Sequence, residues 1–339
     1  MKGVLLLEGD VREQLRTLPD ASVQCVVTSP PYYGLRDYGI APSLWDEDPS
    51  CAHLWQEGTA PVHTGGKTEK QITNAGSFAE TPRMSNSCIH CGGWCGVLGD
   101  EPTVDMYADH LVLVFREVRR VLRDDGIVWL NIGNSYAGSG KGWSPTKGEY
   151  VGGTKQRTNA GSILPPPAQR GVGARAWKEG EQTPINANHR TKAVGFKDKD
   201  LIPTAWLAGL ALLHDGWYLR SDVIWSKTNV MPESTRDRPT KSHEYVLMLT
   251  KSRSYYYDTF AARESTTDGK GLRNKRSVWT TNNGSGGYKH TAAFHPALVE
   301  PCLRASMPEG RCCPECGAAY ARITEKLQPP RRDSGSRPE

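Results

Sequence analysis

Short apolar runs separated by amphipathic stretches set the rhythm of this chain. Val4 to Leu7 reads as a short buried strand, VREQLRTLPD as an amphipathic helix, and Ser22 to Thr28 as a β-branched strand, together a β-α-β opening. Thr103 is placed to cap a helix whose apolar residues Leu111, Val114, Phe115, Val118, Val121 and Leu122 recur at three- and four-residue steps. Gly126 is expected to end that helix, and IVWLNIG to follow as a buried strand. The grammar repeats: Pro203 suits a helix start, TAWLAGLALLHD supplies the apolar face, Gly216 stops it, and YLRSDVIW follows as a strand. EYVLMLT and then SYYYD read as a terminal hairpin. The pattern predicts an α/β fold, three-layer, with a mostly parallel sheet, and a ligand site beyond the carboxyl ends of its strands.

Two stretches break the rhythm. Residues 139–200 are rich in Gly, Pro, Ser, Thr and Asn, with eleven Lys or Arg against five Asp or Glu, which predicts a flexible basic insertion. Arg263 to His290 is a second basic, Gly-rich connection, and Trp279 within RNKRSVW favours nucleic-acid contact over plain solvated surface. The net charge of +5 permits an acidic partner. No apolar run reaches the ~18 residues of a membrane span, and the first residues lack the apolar core of a secretion signal, so no membrane and a cytoplasmic location are expected.

The run CVVTSPPYYGLRDYG carries the most chemistry. Two consecutive prolines lack backbone donors and fix φ, so the strand must stop at Ser29. A strand end of this kind delivers a hydroxyl, a carbonyl and an aromatic face to the ligand site. These groups suit a flipped nucleobase: Tyr32 stacks on it, while Ser29 Oγ and the Pro30 carbonyl accept from an exocyclic amine. Bonds of that kind draw the nitrogen lone pair out of conjugation and leave it nucleophilic. Cys25 on the strand reads as packing and not as a nucleophile.

The chain resembles the amino-directed DNA methyltransferases, in which Asp/Asn/Ser-Pro-Pro-Tyr/Phe follows a strand. The likeness runs through GDVREQLRTLPDASVQCVVTSPPYYGLRDYG, HLVLVFREVRRVLRDDGIVWLNIGNSY, DVIWSKTNVMPESTRDRPTKSHEYVLMLTKSRSYYYD and HTAAFHPALVEPCL, in the beta order with the catalytic half first. The resemblance implies a Rossmann-like methyltransferase sheet, S-adenosylmethionine as methyl donor, and double-stranded DNA as partner. It implies Ser29, Pro30, Pro31 and Tyr32 as catalytic residues, with direct in-line transfer and no covalent enzyme intermediate. Ser in the first position resembles enzymes of the cytosine N4 amine, a variant found also among adenine N6 relatives. Asn131, Asn134 and Ser135 are candidates for lining the same pocket. Asp10, Phe294 and Pro296 are the cofactor contacts that carry over. Members normally continue with a strand and an Asp-Pro-Phe-x-Gly-Ser-Gly loop; these 339 residues contain none, and neither AGSGKG nor NNGSGG substitutes. The expectation is a catalytic half that needs a further C-terminal segment or a second chain, and is inactive alone.

Nine cysteines, several in Cys-x-x-Cys spacing, read as metal ligation in a reducing compartment. Cys51, His53, Cys88 and Cys91 suffice for a closed tetrahedral structural zinc site, with His90 and Cys95 as alternative ligands. CCPECG at 312–317 is half of a second site. The expected organisation is a catalytic α/β core of 1–44, 96–138 and 201–262. To this are added a zinc-binding insertion at 45–95, the basic insertion at 139–200, a DNA-contact loop with partial zinc knuckle at 263–326, and a disordered tail at 327–339. A protein glutamine methyltransferase and a non-catalytic, zinc-stapled nucleic-acid-binding protein are the rival functions.

Overall fold

The computed structural model describes residues 4–34, 40–58, 83–137, 143–144, 149–150, 195–197, 199–230, 232–233, 235–282, 295–308, 313 and 320. Most of the basic insertion, Phe294, Cys312, Cys316 and the 327–339 tail lie outside these residues, and with them the expectations placed there.

The chain enters through helix α1 (Val11–Arg16), capped by Asp10, into strand β1 (Val23–Thr28). Helix α2 (Val104–Val121) leads into the long strand β6 (Leu122–Ile132). Helix α3 (Thr204–His214) leads into β7 (Tyr218–Lys227), which turns back as β8 (His243–Thr250). Strand β9 (Val278–Thr281) and helix α4 (Pro296–Ser306) complete the core. The central sheet has the order β1-β6-β8-β7-β9. β1 runs parallel to β6 with Cys25 opposite Ile127 and Thr28 opposite Leu130, and β9 runs parallel to β7. β8 is antiparallel to both its neighbours. The sheet is therefore mixed, where a mostly parallel one was expected, because one strand of the hairpin lies inside it.

Alternation along β6 builds the three layers. Val128, Leu130 and Ile132 face one way into a core shared with Leu111 and Phe115 of α2 and Ala208 and Leu212 of α3. Ile127 and Trp129 face the other way, against Leu298, Cys302 and Ala305 of α4. Thr103 Oγ accepts from the Met106 amide at 3.1 Å, fixing the start of α2 as its capping position predicts. Pro203 precedes α3, and Gly216, at φ +91°, follows it.

Four readings of the sequence are corrected. Val4 to Leu7 is no strand; Val4 and Leu6 are 100% and 86% exposed, since no described strand takes up their backbone groups. The hairpin partner of β8 is β7, and Ser254–Asp258 runs outside the sheet, with the Tyr256 amide on the Asp125 carbonyl. Helix α2 ends at Val121, ahead of Gly126, which serves a tighter purpose inside β6. A Cβ there would lie 2.8 Å from Leu122 Cδ1 and 2.9 Å from the Gln24 carbonyl of the neighbouring strand. Trp279 is buried on β9 beside Trp129, ring centres 5.7 Å apart, so it is core and offers no stacking platform.

Between β1 and α2 the chain builds a second, smaller sheet of β2 (Ser43–Trp45), β3 (Trp55–Gly58), β4 (Arg83–Cys88) and β5 (Trp94–Gly96), in the order β2-β5-β4-β3. Its root is held to α2 by one stack: the His110 ring lies between Trp45 at 4.6 Å and Trp94 at 5.3 Å. Asp46 and Glu101 oxygens each sit 3.0 Å from an imidazole nitrogen.

Because the Gly126 position touches backbone on the adjacent strand, Gly126→Ala should shift the β1/β6 ladder and cost ~1 to 3 kcal/mol. Urea denaturation followed by circular dichroism measures this; a variant as stable as wild type would contradict the close approach.

Candidate active site

β1 stops at Thr28, and the next four residues turn across the ends of the sheet. Ser29 is exposed, while Pro30, Pro31 and Tyr32 are half-buried and Tyr33 is buried. The turn is pinned from below by the fully buried Tyr107 of α2, whose hydroxyl donates to the Pro31 carbonyl at 2.8 Å. It is pinned from the side by the Gly34 amide on the Gly99 carbonyl at 2.8 Å. Gly99 has φ +100°, and a Cβ there would meet the Tyr32 carbonyl at 3.2 Å, so only glycine suits both its backbone and its neighbour.

The Tyr32 hydroxyl points inward, to a polar cluster at the ends of β6 and β8. It lies 2.8 Å from Glu244 Oε2 and 3.0 Å from Asn131 Oδ1. Asn131 Nδ2 donates to the Tyr245 carbonyl at 3.0 Å and to Glu244 Oε2 at 3.3 Å, which orients its amide oxygen toward Tyr32. Lys227, at the end of β7, donates to Glu244 Oε1 and lies over the Trp225 ring, 4.3 Å from its centre. Burial, and then the Glu244 charge, hold the Tyr32 phenol well above its ordinary range, so it is a neutral donor. Burial works to raise the Glu244 carboxyl, but Lys227 and the bonds from Tyr32 and Asn131 outweigh it and leave the group below its ordinary value.

Lys241 donates to the Asn134 carbonyl, and burial lowers the pKa of its ammonium. Asn134 Oδ1 accepts from the Ala205 amide at 2.9 Å, so this side chain ties the strand end to the start of α3. The Ser135 hydroxyl is buried and has no partner among the described residues. Sequence reasoning placed Asn131, Asn134 and Ser135 near the site but missed Glu244, Lys227 and Lys241. The available signal was a charged residue at the head of the otherwise apolar strand EYVLMLT, whose antiparallel run puts its first residues at the catalytic end.

The cofactor candidates are arranged differently. Asp10 caps α1: its carboxylate accepts from the Arg12 amide at 2.8 Å, from Arg12 Nε at 3.1 Å and from Nη2 at 2.9 Å. The Arg12 bond, against burial, holds its pKa low. Asp10 is thus engaged as the cap of α1, with three bonds from Arg12. Pro296 is the first residue of α4, and Phe294 lies outside the described residues.

The insertion brings Cys51, His53, Cys88 and Cys91 together, with one donor atom of each lying within 4.8 Å of all the others. Cys51 and Cys88 sulfurs are 3.8 Å apart, and Cys91 Sγ is 3.5 Å from His53 Nδ1. The His90 and Gly93 amides each donate to a sulfur two residues earlier at 3.4 Å, which favours thiolate. Although burial opposes it, backbone N–H bonds and the His53 ring bring the Cys88 thiol down to about 5. Behind the donors, His53 Nε2 faces Glu47 at 3.5 Å. The His90 ring turns to the Ala52 carbonyl, and Cys95 stands apart on β5, so neither alternative ligand joins the set.

Comparison with known proteins finds likenesses among DNA methylases. The profile of the N6/N4 family described as DNA methylase matches residues 23–313. The Type II methyltransferase M.XycI of Xanthomonas campestris pv. cyanopsidis is 38% identical over 311 residues, covering 91% of this chain and 75% of that protein. M.Cfr9I of Citrobacter freundii is 36% identical with the same coverage. Among solved structures, the PvuII DNA methyltransferase, cytosine-N4-specific, superposes with a TM-score of 0.44 at 12% identity, covering 88% of this chain and 69% of that one.

The lowered Glu244 carboxyl sets a pH dependence. Its folded value lies below the ~4.3 of an unfolded glutamate, so its stabilisation is complete above that pH and is lost as pH falls through the folded value. Wild-type urea midpoints should therefore fall more steeply between about pH 5 and pH 3 than those of Glu244→Gln. Parallel pH profiles for the two proteins would contradict it.

Proposed function

The chain belongs to the N6/N4 family of DNA methylases, and on that footing we propose that it methylates the N4 amine of a cytosine extruded from double-stranded DNA. As a member it is a site-specific, S-adenosylmethionine-dependent Type II DNA methyltransferase. The cofactor, when bound, supplies the methyl group as a sulfonium substituent. What this chain's residues do follows from the turn at the end of β1.

The observation that carries the reading is the convergence of Asn131 and Glu244 on the hydroxyl of Tyr32, at the end of the turn that begins with Ser29. One end of the ring is fixed in the protein, which leaves its face as a platform for a base at the carboxyl end of β1. Ser29, exposed at the start of the turn, has two hydroxyl lone pairs with which to accept from an amine N–H. The Pro30 carbonyl takes the second amine hydrogen. Held this way, the nitrogen loses conjugation with its ring and turns its lone pair toward the methyl carbon, so catalysis rests on positioning. Pro31 contributes rigidity, being locked from below by Tyr107. Cytosine N4 is preferred because serine stands first in the turn. The assignment of Asp10, Phe294 and Pro296 to the cofactor rests on the resemblance, and no step is routed through them.

The chemistry of the donor set supports zinc in the insertion: three sulfurs and one imidazole at mutual contact, two amide N–H bonds to sulfur, and an outer carboxylate on the free imidazole nitrogen. Zinc would staple the small β2-β5-β4-β3 sheet.

Transfer of labelled methyl from cofactor to DNA, followed by nucleoside mass spectrometry, tests the reaction. Wherever methyl is transferred, N4-methylcytosine is the expected product, and N6-methyladenine would overturn the base assignment. Tyr32→Ala should retain the fold yet weaken capture of the target base by about 1 to 3 kcal/mol. Ser29→Ala should abolish methylation, and full activity in either variant would refute the site. Elemental analysis should find about one zinc per chain, falling toward zero in Cys88→Ser. Undiminished zinc in that variant would move the metal elsewhere.

A further inference from the structure

The polar cluster beneath Tyr32 is more elaborate than a buried ion pair requires. Lys227 and Glu244 would neutralise each other with one carboxylate oxygen, Oε1, and Lys227 needs no more than that. The second oxygen, Oε2, is directed at the Tyr32 hydroxyl at 2.8 Å and receives Asn131 Nδ2 at 3.3 Å. A tyrosine hydroxyl has one proton to give, and of its two acceptors the charged and nearer one is the stronger. Asn131 is itself oriented by the Tyr245 carbonyl, so the acceptor pair around the phenol is preset by β6 and β8. On the far side the space is closed by a bare position. A Cβ on Gly133 would fall 3.0 Å from Tyr32 Cε2, 3.2 Å from Glu244 Cγ and 3.3 Å from Lys241 Nζ. The ring edge, the carboxylate stem and a lysine thus share one packed corner.

We propose that Glu244 is the positioning residue of this active site: held by Lys227, it fixes the hydroxyl of Tyr32 so that the ring presents its face to the extruded base. This rests on the reading of Tyr32 as the stacking platform. The group touches neither base nor methyl; it acts through the tyrosine. A tyrosine ring swings about two torsions, and a stacking platform needs both settled before the base arrives, since ordering it afterwards subtracts from binding. A charged acceptor at the distal atom fixes where the ring points, and because the phenolic O–H prefers the ring plane, the direction of that acceptor also biases the turn of the ring's face. The ionised state of Glu244, kept by Lys227 against burial, supports this use.

The test needs neither cofactor nor a known recognition sequence. The probe is a short single-stranded oligonucleotide of thymines with one central pyrrolo-cytosine, whose fluorescence is quenched on stacking. Full-length wild type, Tyr32→Ala, Tyr32→Phe, Glu244→Gln, Glu244→Asp and the Tyr32→Phe/Glu244→Gln double variant are titrated. Circular dichroism and thermal melting check that each is folded. In parallel, fluorine NMR of 3-fluorotyrosine at position 32 reports ring orientation in the free protein.

Tyr32→Phe and Glu244→Gln should each weaken quenching by about ten- to a hundredfold, the range of a charge-assisted bond. The double variant should be no weaker than either single one, because both remove the same contact. Glu244→Asp, charged but shorter, should fall between. The fluorine signal, one line in wild type, should split or broaden in Glu244→Gln. A merely electrostatic role gives the opposite sign: removing a negative charge beside a nucleic acid tightens binding. Wild-type quenching in Glu244→Gln, or multiplicative losses in the double variant, would overturn the proposal while leaving the stacking reading intact if Tyr32→Ala has lost quenching. Equal quenching by wild type and Tyr32→Ala would overturn the stacking reading and the proposal with it.

Discussion

Arrest of one strand by two prolines is the constraint on which the rest of this structure depends. β1 pairs with β6 in continuous register from Cys25 to Thr28, and beyond it Pro30 and Pro31 supply no amides for a ladder. The chain is forced across the sheet end, over Asn131 and Glu244 and above Tyr107. Everything the site needs is then within reach of a fixed turn: a hydroxyl exposed, an aromatic ring tethered at its tip, and a glycine at 99 bare enough to let the returning chain lie against it. The large α/β core keeps those supports still, with Leu111, Phe115, Leu130 and Leu247 buried beneath them.

The small sheet is joined to this turn by a continuous run of polar contacts. Glu47 backs His53 at the metal-binding cluster, and the adjacent Asp46 meets His110 of α2. His110 meets Glu101, which accepts from the Gly99 amide at 2.8 Å, and Gly99 lies against the Tyr32 carbonyl. Trp45 and Trp94 clamp the middle of the run from both faces. Arg12 stacks over Trp45 at 3.8 Å while holding Asp10, so the start of the chain joins the same assembly. The insertion is built into the support of the catalytic turn instead of hanging from it.

Helix α2, the strand in β6, the Thr103 cap, the Ser-Pro-Pro-Tyr turn and the four-residue metal set were all legible in the sequence, because each is specified by residues close together or by chemistry peculiar to its side chains. What was not legible depended on partners far away. Val4 to Leu7 has strand composition but no described neighbour to pair with, and Ser254 to Asp258 has the aromatic content of a strand but follows one whose edges are already taken. Trp279 was read from its basic neighbours, while its fate was settled by Trp129, 150 positions earlier. Glu244 was hidden for the same reason: it is 212 residues from Tyr32, and only the antiparallel course of β8 brings them together.

That antiparallel course has a consequence for how such a site diversifies. β7 ends and β8 begins at the same rim of the sheet, so Lys227 and Glu244 are both locked into the ladder, while the described residues of the connection between them, 229–230, 232–233 and 235–241, belong to no strand. Lengthening a loop whose ends are already clamped costs little, roughly 0.6 kcal/mol for each doubling. Evolution is therefore at liberty to rewrite the outer part of this connection, short of Lys241 at its root, without disturbing the register below, much as a handle is refitted to a vessel whose mouth keeps its shape.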